Sequence, residues 1–274
     1  MALGVAVDPT AALDAAASAR ASIRSGGYNG PTSALAPGCA QANLVVLPVG
    51  YAFDFLRFCV RNPRPCPILD VTDTGSPHPA TVAPSADLRT DVPRYQVFRD
   101  GQLVDEPTDI NRYWRSDLVA FLLGCSFTFD WALSAAGLRV AHQEQGVNVP
   151  MYVTNRACVG SGSFHGPMVV SMRPFPPAEV SRAVDISARY TSMHGAPVHV
   201  GDPDALGIAD LNCPDYGQAV RISPGDVPVF WGCGVTPQGV VLQARPELAI
   251  FHAPGHMFIT DSPHTYFDSG EDRS

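Results

Sequence analysis

The chain contains no lysine: all 18 basic residues are arginine. Such uniformity suggests a preference for GC-rich codons more than a function, although the planar arginine fork suits carboxylates. Charge of either sign is sparse, at 16% of 274 residues with a net charge of −8, and no basic cluster exceeds Arg57, Arg61 and Arg64. Nucleic acid is therefore a poor partner. No apolar run approaches the ~20 residues of a membrane span, and the Ala-rich start carries Asp8 and Asp14 where a signal peptide needs a basic region. These absences point to the cytoplasm. The seven cysteines include no Cys-x-x-Cys pair, which fits reduced thiols better than a disulfide framework or structural zinc. P-loop, dinucleotide, nucleophile-elbow and zinc-protease motifs are missing too.

What is present is a 46% hydrophobic chain, long enough for a sizeable core. Helical patterns cover 9–25, 52–60, 114–123, 129–136, 176–189 and 236–244, and strand patterns 41–49, 68–71, 149–154, 168–172, 197–200, 227–231 and 248–252. Asp100-Gly101 turns a hairpin between 95–98 and 102–104. The alternation of strand and helix predicts an α/β fold, a mainly parallel sheet flanked by helices. A larger domain would take 1–90 and 165–261, with a smaller α+β subdomain at 91–164 inserted and a disordered tail at 262–274.

Two segments resemble each other. Leu123-Gly-Cys-Ser-Phe-Thr and Trp231-Gly-Cys-Gly-Val-Thr both run from an apolar residue into a helix, and each reaches a histidine, His142 or His252, after the next apolar segment. Either a degenerate duplication or chance explains them. Helix starts leave amide donors free and favour anions, so Gly124, Cys125, Ser126 and Thr128 in one turn, with Gly232, Gly234, Thr236 and Gln238 in the other, are candidate ligands for a small carboxylate. Ser126 or Thr128 would cap the first helix and Thr236, before Pro237, the second. Plain capping is the alternative. A thiol at a helix start should have a lowered pKa, making Cys233 a candidate proton donor, against simple packing beneath the turn.

The loop Phe251-His-Ala-Pro-Gly-His-Met-Phe-Ile-Thr-Asp261 concentrates polar function in apolar sequence. His252 and His256 have a metal-like spacing, but Pro254-Gly255 between them forces a loop, so no metal is assigned, although a divalent ion stays open. His256 with Asp261 would make a proton carrier and its orienting carboxylate. Asn43 before a buried strand, Asp202 after another, Gln41 and Asp70 complete the candidates. Asp54 and Arg57 read as an intrahelical ion pair.

Taken together, QANLVVLPVGYAFDFLRFCVRNPRPCPILDVTD, FLLGCSFTFDWAL, NVPMYVTN, HGPMVVSMRPF, VHVGDPDALGI, PVFWGCGVTPQ and HAPGHMFITD resemble the D-glutamate cyclase family over roughly Ala11–Asp261. The resemblance implies a hydro-lyase, with reversible loss of water from D-glutamate to 5-oxo-D-proline as the family activity and no redox cofactor required. Animal relatives carry a further domain that this chain lacks, which leaves the substrate open. Another small-carboxylate lyase, a lactam amidohydrolase or a non-catalytic carboxylate-binding protein would use the same pocket. Symmetric homo-oligomers are common among such proteins.

Overall fold

The run LVVLP in strand β1 (Cys39–Pro48) has no polar face, and accordingly every residue of the strand is buried. In the computed structural model, which describes residues 9–33 and 35–270, β1 is the centre of a seven-stranded sheet. Its other strands are β2 (Ile68–Val71), β3 (Tyr95–Arg99), β4 (Gln102–Asp105), β5 (Leu118–Gly124), β10 (Ala249–His252) and β11 (Phe258–Pro263), in the order β2-β5-β1-β10-β3-β4 with β11 also on β1. A second sheet has the order β6-β7-β9-β8, from β6 (Met151–Ala157), β7 (Pro167–Phe175), β8 (His199–Val200) and β9 (Val227–Gly232). The helices are α1 (Pro9–Arg24), α2 (Val49–Arg61), α3 (Phe127–Ala135), the short α4 (Ala141–Glu144), α5 (Pro177–Ala188) and α6 (Val235–Ala244). Helices α2 and α6 cover one face of the first sheet, where Phe55, Phe58 and Val241 meet Val45 and Phe251. Helices α3 and α5 enclose Trp231 of the second.

The expected parallel sheet is not there. Every strand pairing among the described residues is antiparallel. Strand–helix–strand order was legible, but order says nothing of what slots between two strands. β1 and β2 run the same way on either side of α2, yet β5 lies between them and opposes both. β9 separates β7 from β8 in the same manner. The segment β9-α6-β10 is no single-sheet unit at all, because it leaves one sheet and enters the other. The helix expected at 114–123 is largely β5: its residues are buried on both faces, and such a run carries no period to separate strand from helix. Part of the expected tail is ordered as well, since Ser262 and Pro263 end β11 and His264–Phe267 form a 3-10 turn; 271–274 lie outside the described residues.

The likeness between the two Gly-Cys segments extends to the whole topology. The sheet orders β2-β5-β1-β10 and β8-β9-β7-β6 match strand for strand, all antiparallel. Ala42 faces Gly124 and Val170 faces Gly232; equally far beyond, Pro48 and Pro176 open α2 and α5 with φ, ψ of −60°, 146° and −52°, 142°. After its Gly-Cys turn, each unit sends its chain across: β5-α3 leads to β6 in the second sheet, and β9-α6 to β10 in the first. The protein is thus built from two interleaved copies of one motif.

A buried ion pair ties the copies together. Arg173 on β7, fully buried, donates through Nε to Asp130 Oδ1 and through one terminal nitrogen to Asp130 Oδ2, both at 2.7 Å, with Asp130 on α3 of the other copy. It also donates to Ser126 Oγ at 2.8 Å and Ser171 Oγ at 2.7 Å, while Phe129 and Trp231 stack on its guanidinium. Such satisfaction is what a desolvated charge requires. Asp130→Asn or Arg173→Met leaves one charge buried without its partner, and urea unfolding should show a loss of about 3–5 kcal/mol; a loss below about 1 kcal/mol would mean the clamp is dispensable.

Candidate functional site

Both Gly-Cys turns begin their helices earlier than the threonines suggested. Ser126 and Gly234 occupy the cap positions with almost identical backbones, φ, ψ of −63°, −16° and −63°, −5°, and neither helix has a side-chain cap. Thr128 and Thr236 therefore lie inside the first turn, correcting their expected role as caps. Thr236 Oγ1 accepts from Val169 N at 2.9 Å and so pins α6 to β7, whereas buried Thr128 Oγ1 has no hydrogen-bond partner among the described residues.

The cysteine sulfurs face the opening amides instead, Cys125 that of Phe127 and Cys233 those of Val235 and Gly234. Those amides pull the thiol pKa down, but burial outweighs them: Cys125 is pushed up to about 12 and Cys233 is raised as well. Contrary to the helix-start argument, both cysteines stay as neutral thiols at physiological pH. A Cβ on Gly124 would collide with Ser192 O and one on Gly232 would sit 2.9 Å from the Arg64 carbonyl, so these two glycines permit close packing. A Cβ on Gly234 would strike the Asn43 amide.

The two turns meet at a cavity of about 310 Å³, whose wall includes Cys125, Ser126 and Phe127 from one and Cys233, Gly234, Val235 and Gln238 from the other. Asn43 and His252 complete its polar side. Asn43 Nδ2 donates to Gly124 O at 3.0 Å, which turns its Oδ1 towards His252 Nε2 at 3.1 Å. Gln238 Nε2 lies 3.3 Å from the same ring nitrogen, and His252 Nδ1 lies 2.9 Å from Ala253 O. Burial pushes His252 down to about 4, so the ring is neutral at physiological pH. A larger cavity of about 580 Å³ shares Phe127, Asn148 and Val149 with the first and includes His142 and His264.

Other expected residues fall elsewhere. His256 is half-buried, with Nδ1 2.8 Å from Pro254 O, and makes no bond to Asp261. Asp261 instead accepts from Arg20 at 2.5 Å, so the expected His256–Asp261 couple is not formed. Asp202 receives Asp204 N at 3.0 Å and caps a 3-10 turn. Gln41 exchanges hydrogen bonds with Thr32, and Asp70 holds Thr81 and Val82. Asp54 and Arg57 do pair. Sequence reading missed His194, which lines the cavity from a left-handed position (φ 79°), holds Arg64 O at 2.7 Å and is pushed down to about 4 by burial. It also missed Arg173, although an arginine inside VVSMRPF signals a buried charge needing a partner.

The model of the D-glutamate cyclase family matches residues 119–261. A protein of Rubrobacter xylanophilus is 69% identical, covering 90% of this chain and 95% of its own. One from Streptomyces coelicolor is 59% identical over 89% and 87%, and one from Stutzerimonas stutzeri 60% over 89% and 92%. All three carry the name "Putative hydro-lyase". A nitrogen repressor-like protein of Methanococcus jannaschii aligns at 11% identity and a TM-score of 0.34, over 86% of this chain and 90% of that one. The family model and these relatives make the protein an enzyme of the carbon–oxygen lyase class, a hydro-lyase. The chain belongs to the D-glutamate cyclase family.

Two measurements check these environments. Cys213 is the one exposed thiol of the seven, so a thiol reagent should label it in the folded protein and reach the others only on unfolding. Fast labelling of Cys125 or Cys233 at pH 7 would contradict their burial. His142, His194, His252 and His264 are each held near 4 by burial, below the ~6.5 of an unfolded chain. The unfolded state then binds more protons between those values, so stability should rise from pH 4 to about 6.5 and level off above. A melting temperature flat over that window would count against neutral buried rings.

Proposed function

We propose that the cavity between the Gly-Cys turns binds a small amino dicarboxylate and closes it into a lactam with loss of water, the reaction of D-glutamate to 5-oxo-D-proline. One observation carries the reading: two helix starts and the polar trio Asn43, Gln238 and His252 line a single cavity. Its volume of about 310 Å³ is at the small end for ligand sites and suits a metabolite of glutamate size. The dipoles of α3 and α6, whose first turns open at the cavity, favour anionic oxygens. Seven free cysteines suit a reducing compartment, so we assign the reaction to the cytoplasm.

Ring closure forms one C–N bond and breaks one C–O bond. The substrate ammonium loses two protons and the departing oxygen gains two, so the proton count balances without an external donor. An imidazole that cycles between its neutral and charged forms can relay a proton from the substrate nitrogen to that oxygen. Among the residues of the cavity wall His252 is placed for this, beside Asn43 and Gln238, and it replaces His256 and Asp261 in the role. The turns hold the oxygen that develops negative charge during attack.

Incubation with D-glutamate, L-glutamate and both 5-oxoprolines, followed by chiral chromatography, tests the reading. The expected result is interconversion of D-glutamate and 5-oxo-D-proline, with His252→Gln slower by about 10²–10⁴-fold and Cys233→Ser within several-fold of the parent. Reaction of another amino or hydroxy acid would keep the hydro-lyase class and discard the substrate. Full activity in His252→Gln would discard the proton carrier.

A further inference from the structure

The hydrogen bonds around His252 do not suit either neutral form of its ring. Nδ1 faces the carbonyl of Ala253 at 2.9 Å and Nε2 faces Oδ1 of Asn43 at 3.1 Å. Both are acceptors, and a neutral imidazole has one N–H to offer. The Asn43 amide cannot turn to relieve the contact, because its Nδ2 is committed to Gly124 O at 3.0 Å. Gln238 is the adaptable partner: its Nε2 lies 3.3 Å from His252 Nε2, and its amide has no other hydrogen bond to a described residue. The best neutral arrangement puts the proton on Nδ1, lets Gln238 donate to Nε2, and leaves Asn43 Oδ1 against a lone pair. An imidazolium would satisfy Ala253 O and Asn43 Oδ1 together, with Gln238 rotated to present its oxygen.

What opposes the imidazolium is burial. His252 is only 5% exposed, and among the described residues no carboxylate lies in the cavity wall. The other titratable groups around the cavity are His194 from the loop before β8, Cys125 and Cys233 from the turns, and Tyr216; His256, on the next turn, adds repulsion when charged. None of these supplies a negative charge at neutral pH. A carboxylate ligand would supply it, and the acceptor pair would then hold the second proton.

Resting on the proposed reaction, we infer that the cavity takes up its carboxylate ligand together with one proton, which settles on His252 between Asn43 Oδ1 and Ala253 O, with Gln238 turning its amide as it arrives. The enzyme is then charged by its substrate. As the nitrogen attacks, the ammonium passes its first proton to the substrate carboxylate oxygen; the imidazolium Nε2–H gives that oxygen its second as it departs, and the second proton of the substrate nitrogen restores the ring, which ends each cycle unchanged. Asn43 and Gln238 are positioning residues in this scheme, because they act through the ring.

Glutarate, a dicarboxylate without the amine, cannot cyclise and serves as the probe. Nitrogen-15 NMR of the histidine rings, with the His252 signals assigned by their loss in His252→Gln, should show at pH 7 a bare Nε2 and a protonated Nδ1 without ligand. Saturating glutarate should protonate both nitrogens, and calorimetry in buffers of different ionisation enthalpy should register uptake of about one proton. Affinity should then fall about tenfold per pH unit above neutrality, while Asn43→Leu, which removes one acceptor, should lower the uptake. A ring that stays neutral under bound glutarate, with His252 signals still shifted, overturns the proton uptake and leaves the site standing. His252 signals untouched by any glutarate concentration overturn both.

Discussion

The molecule is organised around one buried charge. Arg173 enters the interior from β7 and finds Asp130, Ser126 and Ser171 at hydrogen-bond distance and Phe129 and Trp231 across its flat face. A charge without water tolerates little displacement, since each lost hydrogen bond exposes a desolvation cost of several kcal/mol. The first Gly-Cys turn is therefore fixed relative to the second sheet through its own Ser126. Where the other copy has Gly234 and Gln238, at the places of Ser126 and Asp130, no such clamp exists. Gly234 and Gln238 line the cavity, as Ser126 does, but Asp130 does not. One turn both meets the cavity and anchors the clamp, while the other meets the cavity alone.

That division explains which candidate residues converge and which do not. The cavity collects Asn43 from the middle of β1, His252 from the end of β10, and the two turns where α3 and α6 begin. His256 and Asp261 lie beyond β10, in a loop and an added strand that pairs with the far part of β1, and Arg20 has claimed the carboxylate. The loop itself reaches the cavity through Pro254, Gly255 and Met257, but the side chains of His256 and Asp261 are not in its wall.

Much of the fold was legible in single segments and little of it in their assembly. Patterning located most helices and strands within a few residues, because each depends on local burial and on prolines such as Pro48 and Pro176. It failed at Leu118–Gly124, where a strand buried on both faces shows no period, and at the sheet, because β5 and β9 insert between strands that were close in sequence order. The paired turns were visible as a pattern, yet whether chance or duplication produced it could be answered only by matching strand orders. Thiol chemistry misled in the expected direction: the helix-start effect on Cys125 and Cys233 is present in sign, but burial is the larger influence. The frustrated contacts of His252 could not be read from sequence, since they depend on which atom of Asn43 faces the ring.

Interleaving also sets the order in which the protein can be assembled. β1 finds one neighbour, β5, within the same half, but its other flank waits for β10, and Val45 meets Phe251 only when nearly the whole chain exists. β7 likewise needs β6, which the first motif delivers after crossing over. The second sheet draws all its strands from 151–232, but the first cannot close before β10, so a nascent chain carries an open edge along its most apolar strand until β10 has emerged. Such long-range pairing makes for slow folding and exposed, aggregation-prone edges. The two halves are thus a poor choice for separate expression, despite being copies of one design.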